Sequence, residues 1–218
     1  MKLFRAVLMS GLALALCGGA SDARAQAPAK MITLQMPATP DPARVTLDPK
    51  TTALIVLDYV EDICNTQVNC RTKMLPAVTP FMERVRKAGL TVAYGTRAPN
   101  QTKWLKEVAP VPGDIRITNT AQDRFYNTDL DKELKAKGIK TLIMVGWKIS
   151  GSVTYTSVGA MAHDYTVVIP MDTTSAGSDY ETTIGFYNVL NSGNANLPNQ
   201  PLKPNAVTLT RTDMITFR

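Results

Sequence analysis

TLIMVGWKISGSVTYTSVGA, residues Thr141–Ala160, decides the fold. Its apolar run ends at Gly146, a short turn follows, and a helix starts near Gly151. A run that brief, bounded by glycine, reads as a buried strand. Ser150 and Ser152 sit at the helix start. A helix N-terminus carries free backbone N–H groups and the positive end of the dipole, so a nucleophile or anion is stabilised there. In open α/β sheets, sites gather at the carboxyl ends of parallel strands. Chemistry is therefore expected at this turn.

The same alternation extends in both directions. TALIVLD, Thr52–Asp58, is a continuous apolar run ending in an acid, the pattern of a central parallel strand. Leu75–Ala88 is helical: Val78, Phe81, Met82 and Val85 share one face and Gly89 ends it. Leu90–Thr96 is a second strand. Further on come a helix at Asp129–Lys137, the strand Thr141–Gly146, a helix at Val153–His163 and a strand at Thr166–Met171. A helix at Tyr180–Leu190 and a strand at Ala206–Leu209 complete the series. Strands alternating with helices predict a doubly wound parallel sheet, a Rossmann-like α/β fold. Asn191–Pro204 is a polar loop with three prolines. There is no internal repeat.

The first 25 residues read as a signal peptide rather than fold. Lys2 and Arg5 make a basic start, Ala6–Leu16 is apolar, and Ala23-Arg24-Ala25 is a cleavage motif. Cleavage is expected before Gln26, which leaves 193 of the 218 residues, enough for one domain. A lipoprotein reading at Cys17 is disfavoured by the bulky Leu16 before it. Residues 26–50, rich in Pro and Ala, read as an extended arm, and 51–218 as the domain. No other run is long enough to span a bilayer, so the processed protein is expected to be periplasmic or secreted, off the membrane. Losing Lys2, Arg5, Arg24 and Asp22 takes the charge from +6 to +4. No basic block stands out, which argues against nucleic acid as a partner. Cys64 and Cys70 remain. In an exported chain their spacing suggests a disulfide, with two free thiols as the alternative.

Asp58 ends the first strand, either as a loop-capping aspartate or as a base or positioning carboxylate facing the crevice. Glu61 and Asp62 follow closely, with pairing to basic loops as the alternative reading. The single histidine, His163, lies at the far end of a helix, and no cluster has metal-ligand spacing. The dinucleotide fingerprint, the P-loop and G-x-S-x-G are all absent. No metal or cofactor is expected.

Four blocks carry a family resemblance: TALIVLDYVEDIC (Thr52–Cys64), GLTVAYGTRAP (Gly89–Pro99), RFYNTDLDKELKAKGIKTLIMVGWKISGSVTYTSVGAMAHDY (Arg124–Tyr165) and TVVIPMDTTSA (Thr166–Ala176). In this order the chain resembles the isochorismatase-like cysteine hydrolases, which include nicotinamidases. The resemblance implies an Asp, Lys, Cys triad. Its Asp falls on Asp58. Its nucleophile falls on Ser152, six residues after Gly146, and its lysine on Asn119, with Arg116 and Arg124 nearby. It also implies a non-proline cis peptide at Trp147–Lys148 beside an oxyanion hole formed by the N–H groups of Lys148 and Ser152. The metal-binding histidines of nicotinamidases have no counterpart around Arg97–Lys103. Homo-oligomers are common in the family.

Two of the three triad positions are thus changed. A thiol is partly ionised near neutrality, whereas a serine hydroxyl is weak until a base takes its proton. Three functions follow from the sequence. One is an exported hydrolase of a small amide or ester using Ser152, with Asp58 as base. Another is a non-catalytic small-molecule binder on the same fold. The third is an interaction module using the Pro/Asn loop.

Overall fold

The computed structural model describes residues 32–33, 35–97 and 103–218. The expected signal segment, 1–25, lies outside them, as do 98–102. Residues 38–218 form one compact unit.

Its strands are β1 (Val45–Leu47), β2 (Thr52–Leu57), β3 (Thr91–Thr96), β4 (Ile115–Thr118), β5 (Thr141–Trp147), β6 (Thr166–Pro170), β7 (Thr174–Ser175), β8 (Val207–Thr210) and β9 (Ile215–Phe217). Its α-helices are α1 (Glu61–Cys64), α2 (Leu75–Ala88), α3 (Leu130–Ala136), α4 (Thr154–Ala162) and α5 (Asp179–Leu190). The main sheet runs β4-β3-β2-β5-β6-β8, all parallel, and β7 pairs in parallel with the end of β5. β1 and β9 form a separate parallel ribbon. The expected parallel sheet flanked by helices is the fold found.

The apolar runs work because both faces of the sheet are covered. Leu54 and Val56 of β2 join one core with Val78, Phe81 and Val85 of α2. Ile55 and Leu57 join the other, with Leu134 of α3, Ala160 of α4 and Val189 of α5. Every residue of β2 is buried. α2 stops at Gly89, whose φ of 74° is the left-handed cap that glycine adopts without strain.

Four strands are not expected from the sequence: β1, β4, β7 and β9. β4, IRIT, is a short edge strand that buries only Ile115 and Ile117. β7 has two residues. β1 lies within the stretch read as an arm and is held by β9, 170 residues away by register (Val45 with Ile215).

The chain leaves β2 toward β3 and β4, then returns to place β5 on the other side of β2. The strand order therefore reverses between β2 and β5, and the crevice of such a sheet opens at their carboxyl ends. Gly146 lets these two ends meet. A Cβ there would lie 2.0 Å from the Leu57 carbonyl oxygen, and its φ is 140°.

Candidate functional site

β2 delivers Asp58 into the crevice. Its φ of 55° is left-handed, a conformation aspartate tolerates better than most residues. Its N–H donates to the Gly95 carbonyl at 3.1 Å, which ties the turn to β3. β5 delivers Ser152 by another route. The Trp147–Lys148 peptide is cis, and Ile149–Val153 makes one wide helical turn before α4. Asp58 and Ser152 are 2% and 5% exposed. Both line a pocket of about 270 Å³ with Ile63, Arg97, Trp147 and Lys148.

The residue that joins them is Arg124. Its side chain is wholly buried. One terminal nitrogen, Nη2, donates to both Asp58 carboxylate oxygens, at 3.2 and 3.0 Å, and to Ser152 Oγ at 3.3 Å. The other, Nη1, donates to Asn119 Oδ1 at 2.9 Å and to the Ala121 carbonyl. Space for this side chain comes from β3. A Cβ on Gly95 would sit 2.8 Å from Arg124 Cγ and Cδ. Nε has no partner.

Asn119, the position that the resemblance gives to the lysine, lies behind Arg124. It is not in the pocket lining. Its Nδ2 donates to the carbonyls of Asp123 and Tyr126, at 2.8 and 2.9 Å, so it braces the turn that carries Arg124. It reaches Asp58 and Ser152 only through that guanidinium. Arg116 lies on β4 and is exposed.

Lys148 lines the pocket, but its ammonium is bound to Glu181 on α5. Ser150 donates to the same oxygen at 2.5 Å. These two bonds, that of Lys148 first, hold the Glu181 carboxyl below its usual range. Glu61 and Asp62 are exposed on α1. His163 packs against Phe125 and lies 3.6 Å from Asp131. No group of three or more metal-ligating side chains exists among the described residues. Cys64 and Cys70 are joined in a disulfide, and Ile63, one residue before Cys64, lines the pocket.

Burial raises the Asp58 carboxyl above its usual range, while Arg124 and the hydrogen bond with Ser152 pull it back. Burial likewise lowers Arg124, opposed by Asp58. An acid raised by burial is a better base for a hydroxyl. Arginine fixes charge but does not exchange a proton. Asp58 is the carboxylate held by the same Arg124 nitrogen as Ser152 Oγ.

The sequence offers Arg124 only as a neighbour of the lysine position. The available signal was Gly95. A glycine inside a buried strand marks a close approach by something else.

Residues 52–196 match the family model described as the isochorismatase domain. The ureidoacrylate amidohydrolase RutB of Caulobacter vibrioides is 27% identical over 207 residues, covering 72% of this chain and 85% of that protein. RutB of Agrobacterium fabrum is 26% identical, covering 72% and 89%. Among solved structures, N-carbamoylsarcosine amidase from Thermoplasma acidophilum superposes with a TM-score of 0.61 at 22% identity, over 75% of this chain and 97% of that one. An isochorismatase-like hydrolase from Alkaliphilus metalliredigens gives 0.62 at 17% identity, over 75% and 96%. At these identities the structural likeness speaks for the fold.

Proposed function

The chain belongs to the isochorismatase family, and from that premise we propose that it hydrolyses the C–N bond of a small amide, with Ser152 as nucleophile. The observation that carries this reading is the single Arg124 nitrogen bound to both Asp58 and Ser152 Oγ at the pocket. It holds the hydroxyl beside the one carboxylate able to take its proton. The amidohydrolase names of the relatives support an amide over an ester.

In the first half-reaction Ser152 Oγ bonds to the amide carbonyl carbon and its proton passes to Asp58. The tetrahedral intermediate collapses, the C–N bond breaks, and Asp58 returns the proton to the leaving nitrogen. Water then attacks the acyl-serine, losing a proton to Asp58, and the acid leaves as Ser152 regains its hydrogen. The Arg124 guanidinium beside Oγ offsets the negative charge that develops there. The N–H groups of Lys148 and Ser152 are the proposed oxyanion donors.

Ser152→Ala and Asp58→Asn should each cut kcat/KM for amides such as ureidoacrylate by about 10²–10⁴. Rapid-quench mass spectrometry should catch an acyl group on Ser152. Undiminished turnover in Ser152→Ala would refute the nucleophile.

A second reading rests on the same bond. With Arg124 donating to Ser152 Oγ, part of the oxygen's electron density is engaged, and the pocket would bind its ligand without cleaving it. Tight binding with no turnover, and turnover gained in Ser152→Cys, would select that reading.

Export belongs to the proposal as well. The basic and apolar start of the sequence, its cleavage motif and the Cys64–Cys70 disulfide support a periplasmic or secreted protein.

A further inference from the structure

The two carboxylate oxygens of Glu181 face different tasks. Oε2 accepts from the Gly177 N–H at 3.1 Å, and the Glu181 N–H donates to the Ser178 hydroxyl at 3.1 Å. Those two bonds cap the start of α5. Oε1 turns the other way. It accepts from the Lys148 ammonium and from Ser150 Oγ, the latter at 2.5 Å. Helix capping accounts for Oε2 alone. Through Oε1, α5 grips the turn after β5 at two points.

That turn carries the chemistry. It runs from Lys148, whose N–H is one oxyanion donor, to Ser152, which supplies the hydroxyl and the other N–H. From within, the turn is held by bonds to the Lys148 carbonyl, from the Gly151 N–H at 2.9 Å and the Val153 N–H at 3.3 Å. These set its shape. Its seat is set from outside, by α5. A Cβ on Gly185 would lie 2.8 Å from Ile149 Cγ2 and 3.1 Å from the Ser150 nitrogen. Gly185 is one helical turn beyond Glu181, so both meet the turn from the same helix face. The Lys148 stem lies over Gly151, where a Cβ would be 3.2 Å from Lys148 Cγ. Holding the ammonium at Glu181 therefore lays the lysine across the backbone just before Ser152.

We propose that Glu181 is a positioning residue: by holding Lys148 and Ser150 it fixes the turn so that the Lys148 and Ser152 N–H groups meet the developing oxyanion. This rests on the hydrolase reading. The side chains of the Lys148–Glu181 pair are 40% and 32% exposed, so the pair adds little to stability. Misplacing the turn by about 1 Å, in contrast, costs about 10²-fold in rate. Activity and stability should separate when Glu181 is changed.

The test uses the wild type, Glu181→Ala, Glu181→Gln and Asp179→Asn. Asp179 stands two residues earlier on α5 and pairs with exposed Lys73 at 3.3 Å, so its variant controls for the loss of an acid at that helix start. Turnover of ureidoacrylate gives kcat and KM, and a thermal melt gives stability. Titration with propylboronic acid, followed by boron NMR, reads the oxyanion donors without C–N cleavage. In that adduct Ser152 Oγ bonds to boron, the serine proton passes to Asp58, and the boronate becomes a tetrahedral anion. Glu181→Ala should lower kcat by about 10²-fold with KM within about threefold, and should weaken the boronate by about tenfold or more. Glu181→Gln keeps an acceptor for Ser150 and should lose less. Asp179→Asn should match the wild type, and all melting temperatures should stay within about 4 °C. Unchanged kcat in Glu181→Ala overturns the inference and leaves the hydrolase reading intact. So does a loss equalled in Asp179→Asn, or one that comes with a large fall in melting temperature. If the wild type cleaves no amide, the hydrolase reading falls and the boronate decides. Affinity that depends on Glu181 upholds the positioning role, whereas no adduct, or one indifferent to Glu181, overturns it.

Discussion

Arg124 is the residue on which the site's physical chemistry turns. It is fully buried and shares a salt bridge with an almost fully buried Asp58. Removing one member of such a pair leaves an unpaired charge in the interior, which costs about 3–5 kcal/mol. Arg124→Met should lower unfolding free energy in urea by that amount. Asp58→Asn with Arg124→Met should lose clearly less than the two single losses together, because no charge is then stranded. The carboxyl also sets a pH dependence. Burial raises its pKa above 3.8, so the base form appears only above that raised value. The acid limb of kcat/KM should therefore lie above 3.8 and vanish in Asp58→Asn. The stability linkage has the opposite sign to that of a carboxylate whose pKa is lowered. The folded state holds the proton more tightly than the unfolded one, so this contribution is present at low pH and is lost as pH rises through the folded pKa. The stability difference between wild type and Asp58→Asn should accordingly shrink from pH 4 to pH 7, measured by urea titration. Asp58 and Ser152 were legible because each follows an apolar run that only a central strand explains. Arg124 was not, because its role depends on crossing Gly95, a contact between distant segments that no local pattern encodes.

Elements were legible in proportion to how much each buries by itself. β2, β5 and β6 are continuous apolar runs, and α2 has a regular apolar face, so all four stood out. β4 buries two residues and leaves two exposed, too short an alternation to tell from a loop. β1 and β9 have three residues each and exist only through each other. The sequence predicts a helix start directly after β5, but the chain makes one wide turn first, with Gly151 outside helical geometry. The join between β2 and β5 tolerates no side chain. Gly146→Ala would put Cβ 2.0 Å from the Leu57 carbonyl and force alanine into a φ of 140°. Both atoms belong to central strands that pair from Thr52↔Thr141 to Leu57↔Gly146, so neither can move alone. A loss of more than about 4 kcal/mol is expected, seen as failure to recover soluble folded protein. Normal yield with an unchanged melting temperature would show that the two strands separate more easily than their register suggests.

At the scale of the whole molecule, strand order places the crevice. Alternating strands and helices in the sequence implied a doubly wound sheet but not its strand order, and hence not that β2 and β5 are neighbours at the reversal. The cysteines carry the clearest link between chain and environment. Cys64 and Cys70 close a short loop next to Ile63 of the pocket. Asn69 within that loop donates to the Ala176 carbonyl at 3.0 Å, so the loop is tied to the segment after β7. Closing so short a loop removes little entropy from the unfolded chain, and Cys64→Ser with Cys70→Ser should cost about 2 kcal/mol. Such a bond persists in an oxidising compartment and is reduced in a cytosol. If the chain is exported, native protein from the periplasm or medium should begin at Gln26 and resist alkylation at both cysteines until reduced. The same chain expressed without residues 1–25 should stay inside the cell with both thiols alkylatable, and should melt at the lower temperature of the double serine variant. Intact-mass analysis of the two preparations decides the matter. A full-length N-terminus on cell-retained protein, with both thiols free, would remove the export reading while leaving the fold and the pocket as described.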